Sequence, residues 1–172
     1  MADSTSFDDF YDATRWHLLR QLTAMTADPE LAADCLQDAY ERAWQRWSRV
    51  SGLDDAESWV RTVAWRAAVS QFRRRSVARR FAPALRSQLD AGPPHVETVW
   101  DVRAALRAMD PERRRALVLY AMCGLSVEQV ALETNVPVGT VKSRLARGRA
   151  ELAKALGPEY PADGTLAKEG PR

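Results

Sequence analysis

Residues 124–145 read Gly124-Leu125-Ser126-Val127-Glu128-Gln129-Val130-Ala131-Leu132-Glu133-Thr134-Asn135-Val136-Pro137-Val138-Gly139-Thr140-Val141-Lys142-Ser143-Arg144-Leu145. Two helices meeting at a tight turn are written into this stretch. Ser126 stands where a hydroxyl caps a helix N-terminus, and Gln129, three residues on, completes a reciprocal capping box. Ala131 is small where a second helix must cross closely. Asn135 tolerates the left-handed backbone that the turn needs. Pro137, with its fixed dihedral and missing donor, stands where the next helix starts.

In that second helix Val141, Leu145, Leu152 and Leu156 share one face, with Gly148 between them. Thr140, Ser143, Arg144 and Arg147 fall on another. Residues 138–156 hold five Lys or Arg against one Glu. A helix packed on one side that offers Arg, Lys and hydroxyls on the other suits a DNA major groove. The same pattern also fits a solvated basic face on an ordinary helical hairpin.

At 172 residues the chain has room for one ordinary domain or two small helical ones. No apolar run approaches the roughly 20 residues that span a bilayer, and residues 1–9 are acidic rather than signal-like. A cytoplasmic protein without membrane insertion is expected. Cys35 and Cys123 are isolated, and His17 and His95 lie far from both in sequence. No metal site, disulfide framework or cofactor is therefore expected.

The net charge of +2 hides a strong segregation. Residues 3–57 sum to −7, whereas residues 58–89 carry eight Arg and no acid. One face for a basic partner and another for a polyanion follow from that asymmetry.

Helical periodicity runs through almost the whole chain, so an all-α fold of two small helical domains with a flexible linker is predicted. Helices are expected from residue 7 to 25, from Asp28-Pro29 to about Val50, and from Glu57 to about Arg75. Leu36, Ala39, Tyr40, Ala43, Trp44 and Trp47 form the core side of the second. Residues 1–75 make the first domain and 76–98 the linker, where Gly92-Pro93-Pro94 is a clear break. Residues 99–156 make the second domain, with Asp110-Pro111 starting a helix on which Tyr120 faces inward and Arg113, Arg114 and Arg115 form the exposed face. Residues 157–172 read as a disordered tail.

Three blocks in series resemble a compact extracytoplasmic-function sigma factor of bacterial RNA polymerase, in the sigma-70 family. Asp34-Cys35-Leu36-Gln37-Asp38-Ala39-Tyr40-Glu41-Arg42-Ala43-Trp44 resembles the polymerase-binding segment, region 2.2. The stretch from Trp59-Val60-Arg61-Thr62-Val63-Ala64 to Phe72-Arg73-Arg74-Arg75 resembles regions 2.3 and 2.4, which handle the −10 element and strand opening. Residues 106–156 resemble the region 4 helix-turn-helix, with Gly139-Thr140-Val141-Lys142-Ser143-Arg144 the most specific string. The family commonly has Asn and Asp where this chain has Arg66 and Ser70, a departure that bears on the preferred −10 sequence.

The resemblance implies that Asp34, Gln37, Asp38 and Glu41 dock on core RNA polymerase. It implies that Arg61, Trp65, Arg66, Arg73, Arg74 and Arg75 meet the −10 element, Trp65 being either a core residue or a surface for an unstacked base. Thr140, Lys142, Ser143, Arg144 and Arg147 would meet the −35 element. Double-stranded and locally melted promoter DNA are the implied ligands, and an anti-sigma factor is a further implied partner. The rival reading is a helix-turn-helix regulator that acts without binding core polymerase. Catalysis is not expected, since no glycine-rich phosphate loop, paired-histidine motif or nucleophile with a nearby base occurs.

Overall fold

Local chemistry sets the helix boundaries. In the computed structural model, which describes residues 6–81 and 98–157, the elements are α1 (Phe7–Thr26), α2 (Pro29–Gln45), α3 (Trp47–Val50), α4 (Ala56–Phe81), α5 (Thr98–Ala108), α6 (Pro111–Ala121), α7 (Val127–Thr134) and α8 (Val138–Leu156). No strand occurs among the described residues. Ser6 caps α1, Asp28 caps α2 ahead of Pro29, and Asp110 caps α6 ahead of Pro111. The Ser126–Gln129 capping box closes both ways, with bonds of 3.2 and 2.8 Å. Asn135 takes the left-handed conformation at φ 54°, and α8 begins directly after Pro137.

Two boundaries differ from the sequence reading. The second helix breaks at Arg46, after which the four-residue α3 carries on to Val50. The helix expected to stop near Arg75 continues to Phe81, because neither Gly nor Pro interrupts it before Pro83. The rest of the expected linker, residues 82–97, and the tail, residues 158–172, lie outside the described residues.

The front bundle, α1 to α4, closes over Leu18, Leu22, Met25, Leu31, Cys35, Val60 and Ala64, all at most 1% exposed. Beside this core Phe7, Phe10, Tyr11, Tyr40 and Trp47 form an aromatic cluster, with Tyr11 and Tyr40 4.8 Å apart edge to face. The Tyr40 hydroxyl pairs with Thr14 at 2.7 Å, and burial pushes its pKa up to about 12. The rear bundle, α5 to α8, buries Ala116, Leu117 and Leu119 of α6 with Val130 of α7 and Val141, Leu145 and Leu152 of α8. Gly148 of α8 packs against α6 and Met109, where a Cβ would make ordinary contacts at 3.6 Å from Met109 Sδ and 3.8 Å from the Arg113 carbonyl. No helix among the described residues is long and apolar enough to cross a membrane.

Where the bundles meet, several arginines make buried contacts. Arg114, buried, donates from Nε to the Met25 carbonyl at 2.6 Å and from Nη2 to the Thr26 carbonyl at 3.1 Å. Its Nη1 donates to the Leu106 carbonyl at 2.7 Å. Arg107 Nε donates to the Ala27 carbonyl at 3.2 Å. The Met25, Thr26 and Ala27 carbonyls are orphans at the C-terminus of α1, which has no basic residue in its own last turn, so the rear bundle supplies the cations. Arg115 is buried with its guanidinium 5.1 Å from the Trp65 ring centroid. Burial lowers the pKa of both Arg114 and Arg115. Neither belongs to an exposed face, as the sequence reading had them. Helix α6 is covered on several sides, with every residue from Arg114 to Leu119 buried, so adjacent arginines 100° apart cannot all reach water.

Candidate functional site

Helix α2 offers an acidic, fully exposed face. Asp34, Gln37, Asp38 and Glu41 all reach solvent, and Gln37 Nε2 donates to Glu41 Oε1 at 3.4 Å. Trp44 joins them. It is 66% exposed and sits three residues after Glu41 and seven after Gln37, which is the same helix face. The sequence reading put it in the core, and the spacing itself could have shown otherwise. Leu36, Ala39, Tyr40 and Ala43 already complete the buried stripe. An exposed Trp one turn from Glu41 on an acidic helix face is a fitting anchor for a basic partner.

Helix α4 has two basic faces with different fates. Arg66 and Arg74 lie open beside Ser70 and Gln71, and with Asp38 and Arg42 of α2 they line a groove of about 460 Å³. Arg74 Nη2 donates to Ser70 Oγ at 3.2 Å. Arg73 is exposed. Arg75 lies within the helix, but its side chain is outside the described residues. Arg61 and Trp65 are on the other face, and both are buried, at 5% and 3% exposure. As the molecule stands, neither is available to a phosphate or an unstacked base.

Arg61 is held by Glu133 of α7 through two parallel hydrogen bonds, Nε to Oε1 at 3.0 Å and Nη2 to Oε2 at 2.8 Å. Its Nη1 donates to Gln21 Oε1 at 3.3 Å. Ser58 Oγ donates to the same Glu133 carboxylate at 3.0 Å. Burial disfavours the Arg61 charge, but the Glu133 hydrogen bonds and charge outweigh it, and the pKa rises above its ordinary value. Cys123 sits in the field of this pair, and burial pushes its thiol up to about 11.

On α8, Thr140, Ser143, Arg144 and Arg147 line one open groove of about 310 Å³ against Glu112 of α6 and its cap Asp110. Lys142 is exposed but does not line that groove. Ser143 Oγ donates back to the Thr140 carbonyl at 2.9 Å. Arg144 Nη1 rests on Glu112 Oε2 at 3.2 Å, both partners being partly exposed, and Arg113 pairs with Glu151. The arrangement has the chemistry of a polyanion-binding edge and of a separate acidic docking face. Among the described residues no cluster of His, Cys, Asp and Glu could hold a metal ion.

Comparison with known proteins gives the same two parts. The family model of sigma-70 region 2 matches residues 10–90, and that of sigma-70 region 4 matches residues 100–152. The chain is 33% identical over 162 residues to the ECF RNA polymerase sigma factor SigM of Mycobacterium tuberculosis, covering 90% of this chain and 79% of that protein. It is 27% identical over 161 residues to the RNA polymerase sigma-E factor of Streptomyces coelicolor, covering 91% and 89%. Among solved structures, the sigma factor RpoE of Bartonella quintana, in complex with the anti-sigma factor NepR, superimposes with a TM-score of 0.74. The two are 23% identical, and the match covers 89% of this chain and 99% of that one.

Proposed function

The chain belongs to the ECF sigma factors of the sigma-70 family and directs promoter-specific initiation by RNA polymerase; on that premise we propose how its surfaces divide the work. The α2 face of Asp34, Gln37, Asp38 and Glu41, with Trp44 at its end, docks on a basic surface of core polymerase. Complementary charge there speeds encounter and fixes register, while the aromatic ring supplies the anchor. Residues 1–75 form the unit that grips polymerase and the −10 element, its last helix running on to Phe81. Arg66, Arg73, Arg74 and Arg75 meet the −10 backbone. Residues 99–156 carry Thr140, Lys142, Ser143, Arg144 and Arg147 to the −35 major groove. Strand opening needs no chemistry from the protein, since holding bases outside the duplex offsets part of the unpairing cost. The protein works in the cytoplasm with polymerase, and an anti-sigma factor is a second partner.

The observation that carries this reading is an exposed acidic face on α2 and an exposed basic edge on α8 in one chain. A DNA-binding regulator needs only the second. Adding the purified chain to sigma-free core polymerase should yield transcripts from a defined start site. A requirement for a separate sigma factor would mark the chain as an ordinary helix-turn-helix regulator. Asp38→Lys together with Trp44→Ala should weaken the polymerase complex by at least about tenfold, since hot-spot truncations cost about 2 kcal/mol or more. Affinity of the free rear bundle edge for duplex DNA should not change.

A further inference from the structure

We propose that Glu112 of α6 sets the sequence selectivity of the −35 site by committing Arg144 to a base edge rather than to a phosphate. The inference rests on the reading of α8 as the −35 helix. Glu112 stands in the first turn of α6. The Asp110 cap fixes that turn, its Oδ1 accepting from the backbone N–H of Glu112 at 3.1 Å and of Arg113 at 3.2 Å. From there the Glu112 carboxylate reaches across 32 residues of chain to accept from Arg144 Nη1 at 3.2 Å. Asp110 and Glu112 line the same groove as Thr140, Ser143, Arg144 and Arg147. Two carboxylates in the wall of a polyanion-facing groove are a liability for phosphate binding, and so they call for another use.

Two ligands compete for Arg144. A phosphate must displace Glu112 and then sit beside the carboxylates of Glu112 and Asp110, like charge against like. A guanine edge presents O6 and N7, which are uncharged acceptors. It can take the free side of the planar guanidinium while Glu112 keeps its hold on Nη1 and fixes the orientation of the fork. The pair therefore penalises the ligand that carries no sequence information and leaves room for the one that does. Lys142 and Arg147 are both exposed, and neither has a carboxylate partner among the described residues. They hold phosphates and supply affinity, whereas the Glu112–Arg144 pair supplies discrimination.

The test uses the full chain and two probes, a short mixed-sequence duplex and a randomised duplex pool for selection. Arg144→Ala should relax the selected sequence at one base pair and leave the salt slope on the mixed duplex unchanged. A slope shallower by about one would put Arg144 on a phosphate and overturn the proposal. Glu112→Gln should move two quantities in opposite directions. Mixed-duplex affinity should rise about threefold with a slope steeper by about one, as Arg144 takes a phosphate. Preference at the Arg144 base pair should fall at least about fivefold. A merely structural Glu112 would lower affinity for both probes together, and that result, or no change in slope and selection, overturns the proposal. Glu128→Gln removes an exposed carboxylate of α7 that does not line the groove. An equal effect from that variant would make the cause net charge alone and would also overturn it. Should the Glu112 variant fail to fold, the Arg144→Ala slope still decides. Failure of the unmodified chain to select any sequence would instead sink the −35 reading itself.

Discussion

Arg61 and Arg144 face the same problem in different surroundings. Each is an arginine of a helix proposed to face DNA, and each is paired with a carboxylate of its own chain. The Arg61–Glu133 pair is bidentate with both side chains 5% exposed, whereas Arg144 touches Glu112 through one contact at 3.2 Å with 22% and 43% exposure. An exposed pair is worth about 0.2–1 kcal/mol, so Glu112 orients Arg144 without tying it down. A buried pair that loses one partner leaves an unpaired charge out of water, which costs about 3–5 kcal/mol. The Arg61 pair joins α4 to α7, so that cost falls on the contact between the bundles. One pairing leaves its arginine open to a ligand, the other ties two bundles together.

The sharpest way to break that contrast is Arg61→Ala. Urea unfolding should show a loss of about 3–5 kcal/mol, since Glu133 is left buried without its partner. An unchanged unfolding midpoint would show that the pair holds nothing. A control in the core, Leu31→Ala, should cost about 2–5 kcal/mol, because Leu31 is fully buried within the front bundle.

In the field of the buried pair, Cys123 offers a probe that needs no substitution. Its thiol, pushed up to about 11 by burial, carries little thiolate at pH 8. Maleimide alkylation should run roughly a hundredfold slower than for an ordinary exposed thiol. The rate should rise with pH toward 11, the direction set by a raised pKa. Fast alkylation of the unmodified chain at pH 8 would contradict the raised thiol pKa.

On the exposed side of the comparison, Arg144→Ala should weaken −35 binding by about 1–3 kcal/mol if Arg144 reads a base edge, with relaxed discrimination at one position. An equal loss across sequences would make it a phosphate anchor. Its effect on folding should stay below about 1 kcal/mol. Smallest of all is Ser126→Ala, at about 1 kcal/mol of rear-bundle stability, from loss of the cap bond to Gln129 N.

The helices themselves could be read from the chain because their determinants are local. Asp28-Pro29, Asp110-Pro111, the Ser126–Gln129 box and Asn135 act within four residues, and the structure has each of them in the expected role. The buried stripe of α8 and the exposed carboxylates of α2 follow from helical period alone. Trp44 was misassigned because an aromatic next to a buried stripe looks like core until the stripe is found to be complete without it. Arg114 and Arg115 of α6 were misassigned because their helix is packed on several sides, and periodicity assumes one covered face.

Sequence alone determined that this chain is a pair of helical bundles, with an acidic face on a helix of the first and a basic face on the last helix of the second. Its caps, periods and charge runs are short-range features, and they fix local structure before any long-range contact exists. Tertiary structure alone decided which basic residues are free. Glu133 meets Arg61 across 72 residues of chain, Arg114 finds the end of α1 across 88 and 89, and Arg115 covers Trp65. No periodicity encodes such meetings, because they depend on how two separately built bundles are set against each other.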